Sequence, residues 1–162
     1  LALAKFKNSQ RPLVCHQTGK RNLVTTKTQY RESGLEAEVV DFIEDMAEKY
    51  AWADIVIARA GAITIAELAH AGLASILVPY PFAVDDHQTV NAQALVQRQA
   101  AILIQDDQLT AERLKTTLDE LLSDRTKLVK MGEAAHTLSR PKSAETVMRV
   151  CLGERTCSGE GM

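Results

Sequence analysis

DIVIARAGAITIAELAHAGLASILVPYPFAVDDHQTVN, residues 54–91, sets two apolar strands, a short helix and two polar loops in the order that builds a ligand crevice. Ile55, Val56, Ile57 and Ala58 form a continuous, mostly β-branched run of the kind found in parallel strands covered on both faces. Ala60, Gly61 and Ala62 follow as a small-residue turn. Glycine at 61 permits unusual backbone dihedrals, and the flanking alanines let a ligand approach the main chain closely. A helix is expected from Thr64 to Ala71, with the Thr64-x-x-Glu67 spacing of a capping box at its start and Gly72 at its stop. Strand, turn and helix in this order present unpaired N–H groups and the positive end of a helix dipole to an anion, usually phosphate. The same residues also suit a packed turn with a self-capping Thr64/Glu67 pair, so the turn alone leaves both readings open.

Working outward, the alternation continues in both directions. Upstream, residues 1–9 read as the end of a helix broken at Arg11-Pro12, and Leu13 to His16 as a short buried strand. A weak helix spans Arg21 to Glu32, a strand Glu38 to Ile43, and a helix Asp45 to Trp52 with Met46, Tyr50 and Ala47 turned inward. Downstream, Ser75 to Val78 is a strand ended by Pro79, Asp85 to Gln99 a helix with Val90, Ala94 and Leu95 on its inner side, and Ala101 to Ile104 the last strand. Helices at Thr110 to Leu122, Asp124 to Ser139 and Ser143 to Leu152 complete the pattern. Five short strands alternating with helices imply right-handed crossovers and an α/β fold with a doubly wound, Rossmann-like parallel sheet. In such sheets ligands bind beyond the carboxyl ends of the strands, where the loops after Ile43, Ala58 and Pro79 all belong. One domain over 1–155 and a polar tail over 156–162 are expected.

Composition narrows the function classes. A net charge of −2 and a pI near 6.1 offer no broad basic field, and 4% aromatic residues offer no base-stacking platform, so nucleic acid is not expected as a partner. Cys15, Cys151 and Cys157 are odd in number and lie in no Cys-x-x-Cys or Cys/His cluster, which supports neither a disulfide framework nor structural zinc and fits a reducing compartment. No apolar run approaches the roughly 20 residues of a membrane-spanning helix. The expectation is a cytosolic or peripheral protein, and the start at Leu1, without methionine, is read as lying inside a longer chain.

Several polar residues in this stretch carry possible chemistry. The Ala62 to Ala66 amides, Ile63, Thr64 and Ile65 included, are candidates for a phosphate. Glu67 offers two acceptor oxygens, which suit the vicinal hydroxyls of a ribose. Asp85 and Asp86 before His87 hint at metal or acid–base chemistry, but an acidic pair ahead of a helix is more often an N-cap. The Gln88 amide, donor and acceptor at once, suits sugar hydroxyls. Arg59 is read equally as a phosphate contact or as the partner of a carboxylate. His16 and His70 read as structural and His136 as surface.

Taken together, Asp41-Phe42-Ile43-x-x-Met46, Ala53-Asp54, Arg59-Ala60-Gly61-Ala62-x-Thr64-x-x-Glu67, Val78-Pro79 and Asp85-x-x-Gln88-x-x-Asn91-Ala92, with His16-Gln17-x-Gly19 upstream, closely resemble the MurG family of bacterial glycosyltransferases from about Leu1 to Leu152. The resemblance implies the C-terminal, nucleotide-sugar-binding half of a two-domain GT-B enzyme. Such enzymes transfer N-acetylglucosamine from UDP-N-acetylglucosamine (UDP-GlcNAc) to a lipid-linked muramyl-pentapeptide at the cytoplasmic face of the inner membrane, in peptidoglycan synthesis. It also implies donor-binding roles: main-chain groups of Ile43 on the uracil, Ala62 to Ala66 around the diphosphate, Glu67 on the ribose and Gln88 on the sugar, supported by Arg59, Gly61, His87 and Asn91. Catalytic residues, the general base among them, are expected in the N-terminal half. No cofactor and no dedicated metal site are implied, although magnesium could accompany the diphosphate from solution. Two other readings stand beside this one: the nucleotide-sugar-binding subunit of a split glycosyltransferase, and a non-enzymatic Rossmann-like interaction module.

Overall fold

The computed structural model of the chain describes residues 2–82 and 86–152. The expected tail at 156–162, Cys157 and Asp85 lie outside them. Five parallel strands alternate with helices: β1 (Cys15–Gln17), α1 (Leu23–Glu32), β2 (Glu38–Val40), α2 (Met46–Trp52), β3 (Ile55–Ala58), α3 (Ala62–Ala71), β4 (Ala74–Leu77), α4 (His87–Val96) and β5 (Ala101–Leu103), followed by α5 (Ala111–Leu122), α6 (Arg125–His136) and α7 (Ser143–Cys151). The helix expected over 1–9 is instead two short 3-10 turns, Ala2–Lys5 and Asn8–Gln10.

The strands form two ladders. β1 pairs with β2, and β3–β4–β5 make a three-stranded sheet with β4 at its centre. No backbone hydrogen bond joins the two sets among the described residues. That division is a refinement of the single sheet expected from the alternation, which says nothing about which strands touch.

β4 shows why this sheet needs helices on both sides. All four of its residues are buried, and successive side chains point to opposite faces. Leu77 enters a core with Ala60, Leu68, Leu95 and Ala135, whereas Ile76 enters a second with Phe6, Ile104, Leu118, Leu121, Leu128 and Met131. Each such fully buried aliphatic side chain contributes about 1.5–3 kcal/mol. β3, at the edge, is less enclosed than its β-branched run suggests, because Ile57 remains 46% exposed. A third, smaller cluster of Tyr30, Leu35 and Val39 serves the β1–β2 pair.

Helix boundaries follow local chemistry. Asp45, Thr110 and Asp124 cap α2, α5 and α6 by accepting from the amides of Glu48, Arg113 and Lys127. Gly72 ends α3 in the left-handed region at φ 66°, where a side chain would be strained. Two inward faces differ from expectation. Ala47 of α2 is exposed, and α4 buries Ala92 and Leu95 while Val90 is 69% exposed and Ala94 is also outside.

Candidate donor-binding corner

The site is built where β3 and β4 end. Gly61, with φ −65° and ψ 146°, takes the N-cap position of α3, so the helix begins two residues earlier than the Thr64/Glu67 spacing predicts. No side chain caps it. Thr64 therefore lies inside the first turn, and the capping box does not form, because Glu67 points to another element. The Ile65 amide donates to the Gly61 carbonyl at 2.9 Å, and Ala66 follows within the same i to i−4 ladder. Of the five amides proposed from the sequence, Ile65 and Ala66 are thus already bonded within the helix. Those of Ala62, Ile63 and Thr64 have no intrahelical acceptor and stay open. Ala62 and Ile63 are exposed, so this opening faces solvent.

Around that turn, side chains bind the loops into one corner. Asn91 Nδ2 donates to the Ala60 carbonyl at 3.3 Å, from α4 to the residue before the N-cap. The Tyr80 amide donates to Gln88 Oε1 at 2.9 Å, which leaves the Gln88 amino group as its outward donor. Arg59 Nη1 donates to the Val78 and Pro79 carbonyls at 3.4 and 2.9 Å and pairs with Asp106 Oδ1 at 2.5 Å, while its guanidinium lies over the Tyr80 ring at 5.7 Å. Of the two readings for Arg59, the carboxylate partner is the one the structure adopts. It fastens the ends of three strands together. Asp86 does occupy the N-cap position of α4, at φ 50°, but its Oδ1 accepts from the Thr89 hydroxyl at 2.7 Å and caps no amide. His87 opens the same helix.

Two further contacts link the corner to the β1–β2 half. Glu67 Oε2 accepts from the Tyr50 hydroxyl at 2.9 Å, joining α3 to α2. Burial, with the hydrogen bond and charge of Glu67, pushes the Tyr50 pKa up to about 12, so the phenol keeps its proton and remains a donor. In the loop after β2, the Ile43 amide donates to Gln17 Oε1 at 2.8 Å. The Thr18 and Gly19 amides donate to the Val40 and Asp41 carbonyls, so the ends of β1 and β2 are tied together below that loop. Gln17, Tyr50 and Asp106 also shape the site: Tyr50 is expected from the sequence only as an inward-facing helix residue, and Asp106 carries no expectation. Gln17 stood in a quoted motif; for Asp106, 47 residues from Arg59, nothing in the sequence signals the pairing.

His16 and His70 are structural as expected: His16 Nδ1 meets the Tyr30 hydroxyl at 3.2 Å, and His70 Nδ1 meets Ser139 Oγ at 3.2 Å. Among the described residues no three His, Cys, Asp or Glu side chains converge as a ligand set, and no helix is long and apolar enough to cross a membrane.

A parallel sheet sandwiched between helices, with a glycine-led helix opening just beyond the carboxyl end of β3 and an acidic side chain in its second turn, has the architecture of the nucleotide-sugar half of GT-B glycosyltransferases. The family model for the glycosyltransferase family 28 C-terminal domain matches residues 2–147, and the chain belongs to that family. Two relatives, from Marinobacter nauticus and Aromatoleum aromaticum, are each 50% identical over 93% of this chain. Both are named UDP-N-acetylglucosamine–N-acetylmuramyl-(pentapeptide) pyrophosphoryl-undecaprenol N-acetylglucosamine transferase. The chain spans 42% of the length of each. The crystal structure of Acinetobacter baumannii MurG superposes with a TM-score of 0.84 at 37% identity, over 94% of this chain and 44% of that one. The glycosyltransferase VinC, solved with DTDP, shares the fold at a TM-score of 0.62 and 19% identity.

Proposed function

We propose that this chain is the donor-binding half of an enzyme that transfers N-acetylglucosamine from UDP-GlcNAc to undecaprenyl-pyrophosphoryl-MurNAc-pentapeptide, converting lipid I to lipid II in peptidoglycan synthesis. The observation that carries the reading is the open first turn of α3, with Glu67 one turn further along, in a chain half identical to transferases named for that reaction. The amides of Ala62, Ile63 and Thr64 receive the diphosphate, lined by Gly61, Ile65 and Ala66. Glu67 accepts from the ribose hydroxyls, main-chain groups of Ile43 meet the uracil, and the Gln88 amino group donates to the sugar. Arg59, Asn91 and His87 hold the corner in shape. The general base and the acceptor site belong to the remainder of the protein, which works as a peripheral enzyme at the cytoplasmic face of the inner membrane.

In the transfer, an acceptor hydroxyl attacks the anomeric carbon as the bond to the diphosphate breaks, and negative charge grows on the departing UDP. Donors already aligned at that diphosphate stabilise the transition state more than the ground state. A helix dipole contributes only about 0.3–1 kcal/mol to an exposed anion, so the three aligned amides carry most of this stabilisation. The chain alone forms one wall of the crevice. It binds UDP and UDP-GlcNAc and turns over neither.

Calorimetry tests the reading directly. Glu67→Ala is expected to weaken UDP binding by about 1.5–3 kcal/mol, the worth of a hydrogen bond to a charged group. Equal affinity of the variant and the unsubstituted chain would contradict the ribose role, and failure of UDP to raise the melting temperature of either would contradict nucleotide binding altogether.

A further inference from the structure

We infer that Tyr50 is a positioning residue for donor recognition: its hydroxyl fixes the Glu67 carboxylate in the orientation that meets both ribose hydroxyls. The inference rests on the ribose role proposed for Glu67. It deepens that role by naming what sets the geometry.

Three observations carry it. The Tyr50 ring packs against the core cluster of Ala60, Leu68 and Ala69, so the position of its hydroxyl is set by a rigid interior. That hydroxyl donates to Glu67 Oε2 at 2.9 Å in a half-buried setting. Glu67 Oε1 accepts no hydrogen bond among the described residues and is not among the buried, unpartnered atoms, so it remains available at the surface. A carboxylate has about four acceptor sites, of which Tyr50 takes one. A vicinal diol needs two of those left.

The physical gain is preorganisation. A free glutamate side chain carries much rotamer entropy, and a ligand that must order it loses affinity accordingly. A charge-assisted bond from a wedged phenol orders the side chain beforehand. The Tyr50 hydroxyl does not touch the nucleotide; it acts through Glu67 alone. A purely structural tie between α2 and α3 would make a different prediction, because it would affect all ligands of the corner alike.

The experiment compares UDP, 2′-deoxy-UDP and 3′-deoxy-UDP on the unsubstituted chain and on Tyr50→Phe, by calorimetry. The unsubstituted chain is expected to prefer UDP over each deoxy analogue by about tenfold. Tyr50→Phe is expected to shrink that preference to about threefold or less, with a smaller loss of affinity for the deoxy analogues, each of which keeps one hydroxyl for Glu67, than for UDP. If the unsubstituted chain does not discriminate, the ribose role of Glu67 fails and the positioning role falls with it. If the unsubstituted chain discriminates and Tyr50→Phe discriminates equally, Glu67 stands and the positioning role is overturned. Uniform weakening of all three ligands also overturns it, in favour of a structural tie. Tyr50→Met, which fills similar space without a donor, answers the same question should the phenylalanine variant not fold.

Discussion

Ser75 sits within the central strand, fully buried, with a hydroxyl that meets no partner among the described residues. A buried hydroxyl without a hydrogen bond costs about 1–3 kcal/mol of desolvation, and deleting it can be neutral or favourable. Ser75→Ala is therefore expected to hold or raise the urea midpoint, and a clear fall would show a partner that this geometry lacks. Gln88 behaves differently. Its carbonyl holds the Tyr80 amide, so Gln88→Ala is expected to weaken UDP-GlcNAc binding more than UDP binding; equal losses in titrations with the two ligands would assign Gln88 to the loop alone. At this scale the sequence made residue types legible but not their partners. Glu67 and Gln88 stood out because carboxylate and amide chemistry suit hydroxyls. The bond from Tyr50, 17 residues away, could not be read, because spacing along the chain says nothing about which helices meet.

Helix placement has its own logic, and α6 illustrates it. Gly132 lies where α6 crosses the end of α3, and a Cβ added there would overlap the Gly72 carbonyl oxygen, which is backbone and cannot swing aside. Gly132→Ala is expected to destabilise by about 1–3 kcal/mol, the usual cost of overpacking, as a drop in the urea midpoint at unchanged slope. Sequence pattern alone assigns Gly132 no role. Its role appears only when the crossing partner is known. Boundaries were more accessible: Thr110, Asp124 and Gly72 announce their helix ends through capping chemistry. The start of α3 was misjudged because the Thr64/Glu67 spacing imitated a cap while Gly61, without any side chain, took the position. For α4, apolar residues at 90, 92, 94, 95 and 96 allow more than one stripe, and the pairing of Gln88 and Asn91 with the site loops selects the face that buries Ala92 and Leu95.

For the molecule as a whole, the two strand sets differ in enclosure. His16 at β1 is held by Tyr30, and burial lowers its pKa below the ordinary 6.5. The folded form thus binds the proton less readily than the unfolded chain. Stability from this site is complete above about pH 6.5 and is lost as the pH falls below it. Urea midpoints at pH 7.5 and 5.5 are expected to show the loss, and His16→Gln to reduce it; an identical drop in the variant would assign the dependence to other groups. The parallel α/β class was legible from alternation alone, since β-branched runs and helical periods leave few topologies. The division into two ladders was not, because pairing partners are chosen in three dimensions.

The contact between Gln17 and the Ile43 amide has a consequence for how a pyrimidine would arrive. In the proposed uracil contact, the Ile43 amide would exchange Gln17 Oε1 for a nucleobase oxygen. Such an exchange would be a swap of like for like, nearly level in hydrogen-bond strength, so affinity for the base would have to come from its other contacts.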